Sequence, residues 1–392
     1  MKDIEILEKE KKEKKNINKK KLIITISVGI ILLIIGITML VYYSSRDARN
    51  FLDQYLFRKN VSQEKLDTID LDYDSNISVI AYNRNLCVLA ENKLMKYNSS
   101  GNLESEIDLE ISNPVYSVNN RYLAISEQNG SKLYLISGDK IQWTNELDGN
   151  INKINVNENG YVSVIITGTT YKSVITVFDN EGKQLFNAYL DTTQVVDTSI
   201  SKDNQYLAFA GVNTTGTKIK STINVASIEQ AKIIQTFSAE DNKLILNIEY
   251  QNNNNIICMY DSEISVINNN SSQVIMSLNE SGKNINFANI NLDNYIYRAI
   301  EENAGLFDTN TVLEMKNVTN DNTSVYTIEG AAKAMYSYNN VVAVNLGQEI
   351  EFVNTSGWLI KRYLSSQEVQ NVVIGNGIAG IVYQDRVEIL NL

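Results

Sequence analysis

Tyr116-Ser117-Val118-Asn119-Asn120-Arg121-Tyr122-Leu123-Ala124-Ile125 reads as a short strand, an Asn-containing turn and a second apolar strand. Apolar runs of this length bounded by Asn, Asp, Ser and Gly are the pattern of antiparallel hairpins. The unit recurs on both sides of this copy. Before it stands Ser78-Val79-Ile80-Ala81-Tyr82 with Leu86-Cys87-Val88-Leu89. After it come Ile154-Asn155-Val156 with Tyr161-Val162-Ser163-Val164, and Thr198-Ser199-Ile200-Ser201 with Tyr206-Leu207-Ala208-Phe209. Asn turns then precede Ile256-Ile257-Cys258-Met259, Tyr295-Ile296-Tyr297, Val341-Val342-Ala343-Val344 and Ile378-Ala379-Gly380-Ile381. From Arg84 to Asn376 the seven steps average about 42 residues, the length of a four-stranded propeller blade.

A second landmark completes the unit in most copies: a turn centred on Gly that leads into a strand ending in Leu. It appears at Asn98-Ser99-Ser100-Gly101, Ser137-Gly138, Asn180-Glu181-Gly182 and Asn354-Thr355-Ser356-Gly357. Gly is what a tight hairpin with positive φ requires there. Complete units start near Ile77, Val115, Ile151, Val195, Ile245, Ile285 and Ala331, and an eighth, residues 369–392, stops after three strands. The missing outer strand is present at the other end, in Leu66-Asp67-Thr68-Ile69-Asp70-Leu71. Pairing the two ends closes a ring and removes the open edges of a stack of sheets. The sequence therefore predicts an all-β, eight-bladed β-propeller over residues 63–392, with seven blades as the alternative.

Working toward the N-terminus, the period changes. Ala48, Phe51, Leu52, Tyr55 and Leu56 fall on one face of an amphipathic helix, so residues 44–62 read as a juxtamembrane stalk. Residues 22–43, LIITISVGIILLIIGITMLVYY, contain no charge, and at ~1.5 Å per helical residue they span ~33 Å, enough to cross a bilayer core of ~30 Å. A cleaved signal peptide would have a shorter apolar region and a small-x-small cleavage site, whereas Tyr42-Tyr43-Ser44-Ser45-Arg46-Asp47 follows here. The tail of residues 1–21 holds nine lysines against five acidic residues, while the rest of the chain carries 26 basic and 41 acidic residues of the totals of 35 and 46. A basic surplus beside the apolar run predicts a cytoplasmic N-terminus and an extracellular propeller on a single-pass anchor. An acidic exterior without basic clusters excludes nucleic acid as the expected partner.

The blade pattern resembles quinoprotein-like and WD40-like propellers. The layout of Lys-rich tail, one helix and Phe57-Arg58-Lys59-Asn60-Val61-Ser62 leading into the repeats is similar to a bacterial family of membrane-anchored propellers of unknown function. The resemblance implies fold and topology, and no activity.

Of the repeated Ala-x-Asp-x-x-x-Gly-x-x-x-Trp quinone-docking motif only Ser137-Gly138-Asp139-Lys140-Ile141-Gln142-Trp143 comes near, so no pyrroloquinoline quinone or other cofactor is expected. Trp-Asp and Gly-His dipeptides are absent, and Arg84, Arg121, Arg298, Arg362 and Arg386 lie off the predicted inner strands, which removes a sialidase-like arginine cluster. With no His in the chain there is no imidazole base or imidazole metal site. Asp179-Asn180-Glu181-Gly182 is oxygen-rich but lacks the further ligands of a calcium loop, and reads as a hairpin turn. Asp197, Glu249, Lys153 and Lys333 are placed on inner strands, where polar side chains ordinarily face channel water. Cys87 and Cys258 occupy matching positions in opposite blades, beyond disulfide reach, and read as small buried hydrophobes. No catalytic, cofactor-binding or metal residue is assigned. The expectation is a binding or scaffold module for envelope proteins or polymer; the alternative is a carboxylate-dependent hydrolase or lyase on envelope polymer.

Overall fold

The computed structural model describes residues 19–44, 52, 66–72, 76–251, 255–268, 271–305 and 308–392. Two compact units emerge, residues 1–61 and 62–392. In the first, helix α1 (Lys19–Ser44) contains the apolar stretch Ile24–Tyr42, long and apolar enough to cross a membrane. Its large apolar side chains from Ile24 to Leu40 are exposed, and Thr38 Oγ1 donates to Ile34 O at 2.8 Å, so the Thr38 hydroxyl is satisfied within the helix. The amphipathic stalk expected over residues 44–62 lies outside the described residues, apart from Ser44 and Leu52.

The second unit is an all-β, eight-bladed propeller. Its strands, β1 (Thr68–Asp70) to β32 (Arg386–Asn391), form eight four-stranded antiparallel sheets. Seven blades use four consecutive strands, beginning with the innermost: β2 (Ser78–Tyr82), β6 (Pro114–Asn119), β10 (Asn150–Val156), β14 (Thr193–Ile200), β18 (Ile245–Tyr250), β22 (Asn284–Leu292) and β26 (Ala334–Tyr338). The eighth is ordered β1-β32-β31-β30, with β30 (Asn371–Gly375) innermost and β31 (Ile378–Val382) next. Thr68, Ile69 and Asp70 pair with Glu388, Val387 and Arg386, so the two ends of the chain close the ring as the strand pattern predicts.

The Asn content has a backbone cause. Between the first and second strands of seven blades the turn holds a left-handed residue: Asn83, Asn120, Asn204, Asn294 or Asn339, and Gly in blades three and eight. L-residues other than Asn and Asp rarely adopt that conformation at low cost. The turn between third and fourth strands uses Asx capping. Asn98, Asp179 and Asn354 each accept, through Oδ1, the N–H groups two and four residues on. Gly182 follows with φ 84°, and a Cβ there would stand 2.8 Å from the Trp143 ring of the preceding blade. Asp179-Asn180-Glu181-Gly182 is thus a hairpin turn seated on its neighbour.

The cores lie between blades. Ile80, Cys87, Leu89 and Leu94 of blade one pack with Leu123, Ile125 and Ile136 of blade two. Cys87 on β3 (Asn85–Ala90) and Cys258 on β19 (Asn255–Tyr260) are free thiols, fully buried in blades one and five. Burial pushes the Cys87 thiol up to about 12, so both behave as apolar side chains.

Candidate functional site: the central channel

Four inner strands carry a β-bulge at the same place, between Ile151 and Lys153, Val195 and Asp197, Ile245 and Asn247, and Ile285 and Phe287. An inserted residue kinks a strand and re-aims the side chains that follow. In blades three to five those are Lys153, Asp197 and Asn247, and the first two meet: Lys153 Nζ lies 2.6 Å from Asp197 Oδ1. Asp197 is buried and also accepts the Ile248 N–H at 3.0 Å and the Asn155 amide at 3.1 Å. Asn155 donates further to Thr198 O and Oγ1.

Hydroxyls repeat the device, with Ser117 Oγ accepting from Val156 N at 3.1 Å and Ser199 Oγ from Tyr250 N at 2.9 Å. An innermost strand has a free edge, and an unmet N–H there would cost about 1–3 kcal/mol once buried. Polar residues of the preceding blade's inner strand answer that need. Asp197 and Lys153 are therefore joints of the ring.

Lys333 departs from the expectation. Strand β26 begins one residue later, at Ala334, after the Lys333 N–H has bonded Asn345 O, and the ammonium pairs with exposed Glu368 at 2.6 Å. It sits at the rim rather than on an inner strand.

Glu249 on β18 is the carboxylate left over. It is half-buried, and among the described residues no hydrogen bond or ion pair reaches its carboxyl group. Desolvation, and then the nearby charge of Asp197, raise it to about 7, against the opposing pull of Lys202 and Lys153. A carboxyl group raised on folding favours the folded chain at low pH, and that contribution is lost as pH climbs through about 7. Glu249→Gln should therefore flatten the decline in stability between pH 5 and pH 8, by about 1–3 kcal/mol after discounting for channel water, as read by thermal melts at the two pH values. Parallel declines in both proteins would refute the assignment.

Glu249 borders a chamber of about 360 Å³ at the end of the channel where the Asn turns lie, with Asn119, Asn157, Asn294, Asn339, Lys202 and Asp293 among its lining. A second cavity of about 350 Å³ is lined by Ile80, Tyr116, Met335, Tyr336 and Ile374. The two share Val118, Asn291, Ser337 and Tyr338 and are parts of one channel. Blades two to seven line the first cavity mainly with polar side chains, and blades seven, eight, one and two add apolar and tyrosine side chains around the second. Tyr116 is 41% exposed, to this lumen.

The arginines lie off the inner strands, yet two are buried in ways that sequence spacing missed. Arg298 on β23 (Tyr295–Asn303) bonds Glu314, Glu280 and Ser277 O. Arg362 on β29 (Leu359–Leu364), 1% exposed, lies against Glu349 and Glu351 of β28 (Glu349–Asn354). The available signal was Glu at alternate positions, Glu349 and Glu351, on a strand otherwise apolar. Among the described residues no group of His, Cys, Asp or Glu is placed to hold a metal ion.

A family model for a family of unknown function, DUF5711, matches residues 57–392, the whole propeller and the residues leading into it. The chain belongs to that family. No curated protein matches this DUF5711 member in sequence. Among solved structures it is similar to Sqt1 from Chaetomium thermophilum, bound to the N-terminus of the ribosomal protein L10, with a TM-score of 0.52 at 11% identity over 84% of this chain and 100% of that one. It is also similar to the dihydro-heme d1 dehydrogenase NirN in complex with DHE, with a TM-score of 0.50 at 11% identity over 82% and 72% of the two chains. BamB from Moraxella catarrhalis aligns at a TM-score of 0.48 and 12% identity, over 84% and 99%. At these identities the likeness is one of fold.

Proposed function

We propose that this family member is a single-pass, membrane-anchored binding module that presents its propeller outside the membrane to a protein or polymer of the bacterial cell envelope. The observation that carries the reading is the open chamber of about 360 Å³ at the turn-lined mouth of a closed ring, beside inner-strand polar groups that are largely spent on joining blades. A site of that size fits a small ligand or an inserted side chain. The orientation rests on the Lys surplus before the apolar run. The fold likeness to Sqt1 supplies no partner.

Two measurements on intact, wall-stripped cells test the reading. Added protease should degrade the propeller, and crosslinking followed by pull-down should capture an envelope component. Full protection from protease sinks the topology, and recovery of the uncrosslinked chain alone sinks the binding role.

One observation favours a second reading, a carboxylate-dependent hydrolase or lyase: Glu249 and Asp197 are neighbouring carboxyl groups of which one is held near 7. Asp197 argues against it, since its oxygens are occupied by Lys153, Asn155 and the Ile248 N–H. Turnover of envelope polymer by the purified chain, abolished in a folded Glu249→Gln variant, would establish the enzyme instead.

A further inference from the structure

The chamber that the binding reading rests on has an unbalanced chemistry. Its wall presents a carboxylate that has no donor among the described residues. Glu249 receives no hydrogen bond from any described residue. Gln251 is 7% exposed; its Nε2 is committed to Thr319 Oγ1 at 2.8 Å and Asn294 Oδ1 at 3.3 Å, while its buried Oε1 has no partner. Both residues line the chamber, and Tyr338 stands on the same lining with the Asp293 charge near it.

A carboxylate drawn out of water without a donor is unfavourable, and a ligand that brought donors and positive charge would relieve it. The charged groups facing Glu249 decide the sign. Asp197 on β14 is neutralised by Lys153 on β10. That leaves Glu158 and Asp293 in the turns after β10 and β22, with Glu249 itself, against Lys202 in the turn after β14. An anion is disfavoured there, and a neutral polyol would leave the carboxyl group's charge unmet. Tyr338 shares the chamber lining with Glu249, and an aromatic ring beside a carboxylate is a setting that suits an ammonium or guanidinium group.

We propose that the channel chamber binds the cationic nitrogen of a small amine or of a basic side chain, with the Glu249 carboxylate as its counter-charge. The inference rests on the binding reading and names its ligand class, and the test below tells the failure of one from the failure of the other. A bound cation holds Glu249 ionised, so binding at neutral pH releases a proton.

The test is calorimetric titration of the full chain in detergent micelles with 1,4-diaminobutane, a peptide bearing a single lysine, and a neutral disaccharide. At pH 8 at least one of the two amines should bind and the disaccharide should not. Affinity should fall about tenfold between pH 8 and pH 6 as the competent, ionised fraction of Glu249 shrinks, with a heat that varies with the buffer's ionisation enthalpy. Glu249→Gln, with an unchanged circular-dichroism spectrum, should bind at least tenfold more weakly at pH 8 and lose the pH dependence. Preference for the diamine identifies a free amine as the source, and preference for the peptide identifies a partner's side chain. Silence of both amines, equal binding by the Gln variant, or binding of the disaccharide instead overturns the inference. An envelope component crosslinked equally by wild type and variant would overturn it too while leaving the binding module intact.

Discussion

Replacing Ile69 and Leu71 together by Ser in the full chain should remove about 4–8 kcal/mol of stability and lower the thermal midpoint of the propeller by several degrees or more. Both side chains are buried, at 2% and 6% exposure, in the cluster that joins blade eight to blade one, with Val79, Leu86, Val88, Ile378 and Val387. Burial of each contributes about 1.5–3 kcal/mol, and the voids left behind add to the loss. Among the described residues strand β1 is also the only strand that the N-terminal side gives to blade eight, held by its ladder to β32 and by hydrogen bonds from Leu71 N to Asp385 O and from Ile389 N to Asp67 O. Weakening it loosens the ring at its one non-consecutive seam. Ile233 and Ile234 make a control: they too belong to an outer strand, β17 (Lys232–Ser238), but are 46% and 47% exposed, so the same double change there should alter the midpoint little. Equal midpoints for the Ile69/Leu71 variant and wild type would mean that the ring does not depend on its closure.

The closure was legible because its determinants are local. Alternation at residues 66–71 and a final unit one strand short are visible without knowing what touches what. The eightfold repeat was legible for the same reason: Asn120, Asn204, Asn294 and Asn339 stand where a left-handed backbone is needed, and Asn accepts it cheaply. What could not be read are contacts between blades. Asn155 meets Thr198 and Asp197 meets Ile248 N, and the register linking them is set by bulges that no turn residue announces. Lys333 shows the same limit on a smaller scale, since a strand that starts one residue later moved it from the inner wall to the rim. Glu249 was placed on the correct strand, but its solitude depends on how Lys153 is shared, and only the geometry reveals that the lysine belongs to Asp197.

Arg362→Met should cost about 3–5 kcal/mol, with a larger deficit at pH 8 than at pH 5. Arg362 lies directly opposite Glu351 in the β28–β29 ladder, its Nη2 2.7 Å from Glu351 Oε1 and its Nε 2.9 Å from both Glu351 Oε1 and Glu349 Oε1. Methionine fills much the same volume, so the loss is electrostatic: two carboxylates, at 10% and 3% side-chain exposure, are left in apolar surroundings without their counter-charge. They relieve the strain by taking up protons. Their folded-state protonation midpoints then rise above the unfolded values, which makes the variant's contribution favourable at low pH and progressively lost as pH rises, hence the pH-dependent deficit. Converting all three residues, Glu349→Leu, Glu351→Leu and Arg362→Met, should recover most of the stability, because an apolar replacement leaves no carboxylate buried without its counter-charge. Urea unfolding of the single and triple variants at both pH values distinguishes the cases. A single variant as stable as wild type would show that water reaches the pair. A triple variant as unstable as the single would show that the ion pair shapes the packing between blades six and seven rather than merely neutralising itself.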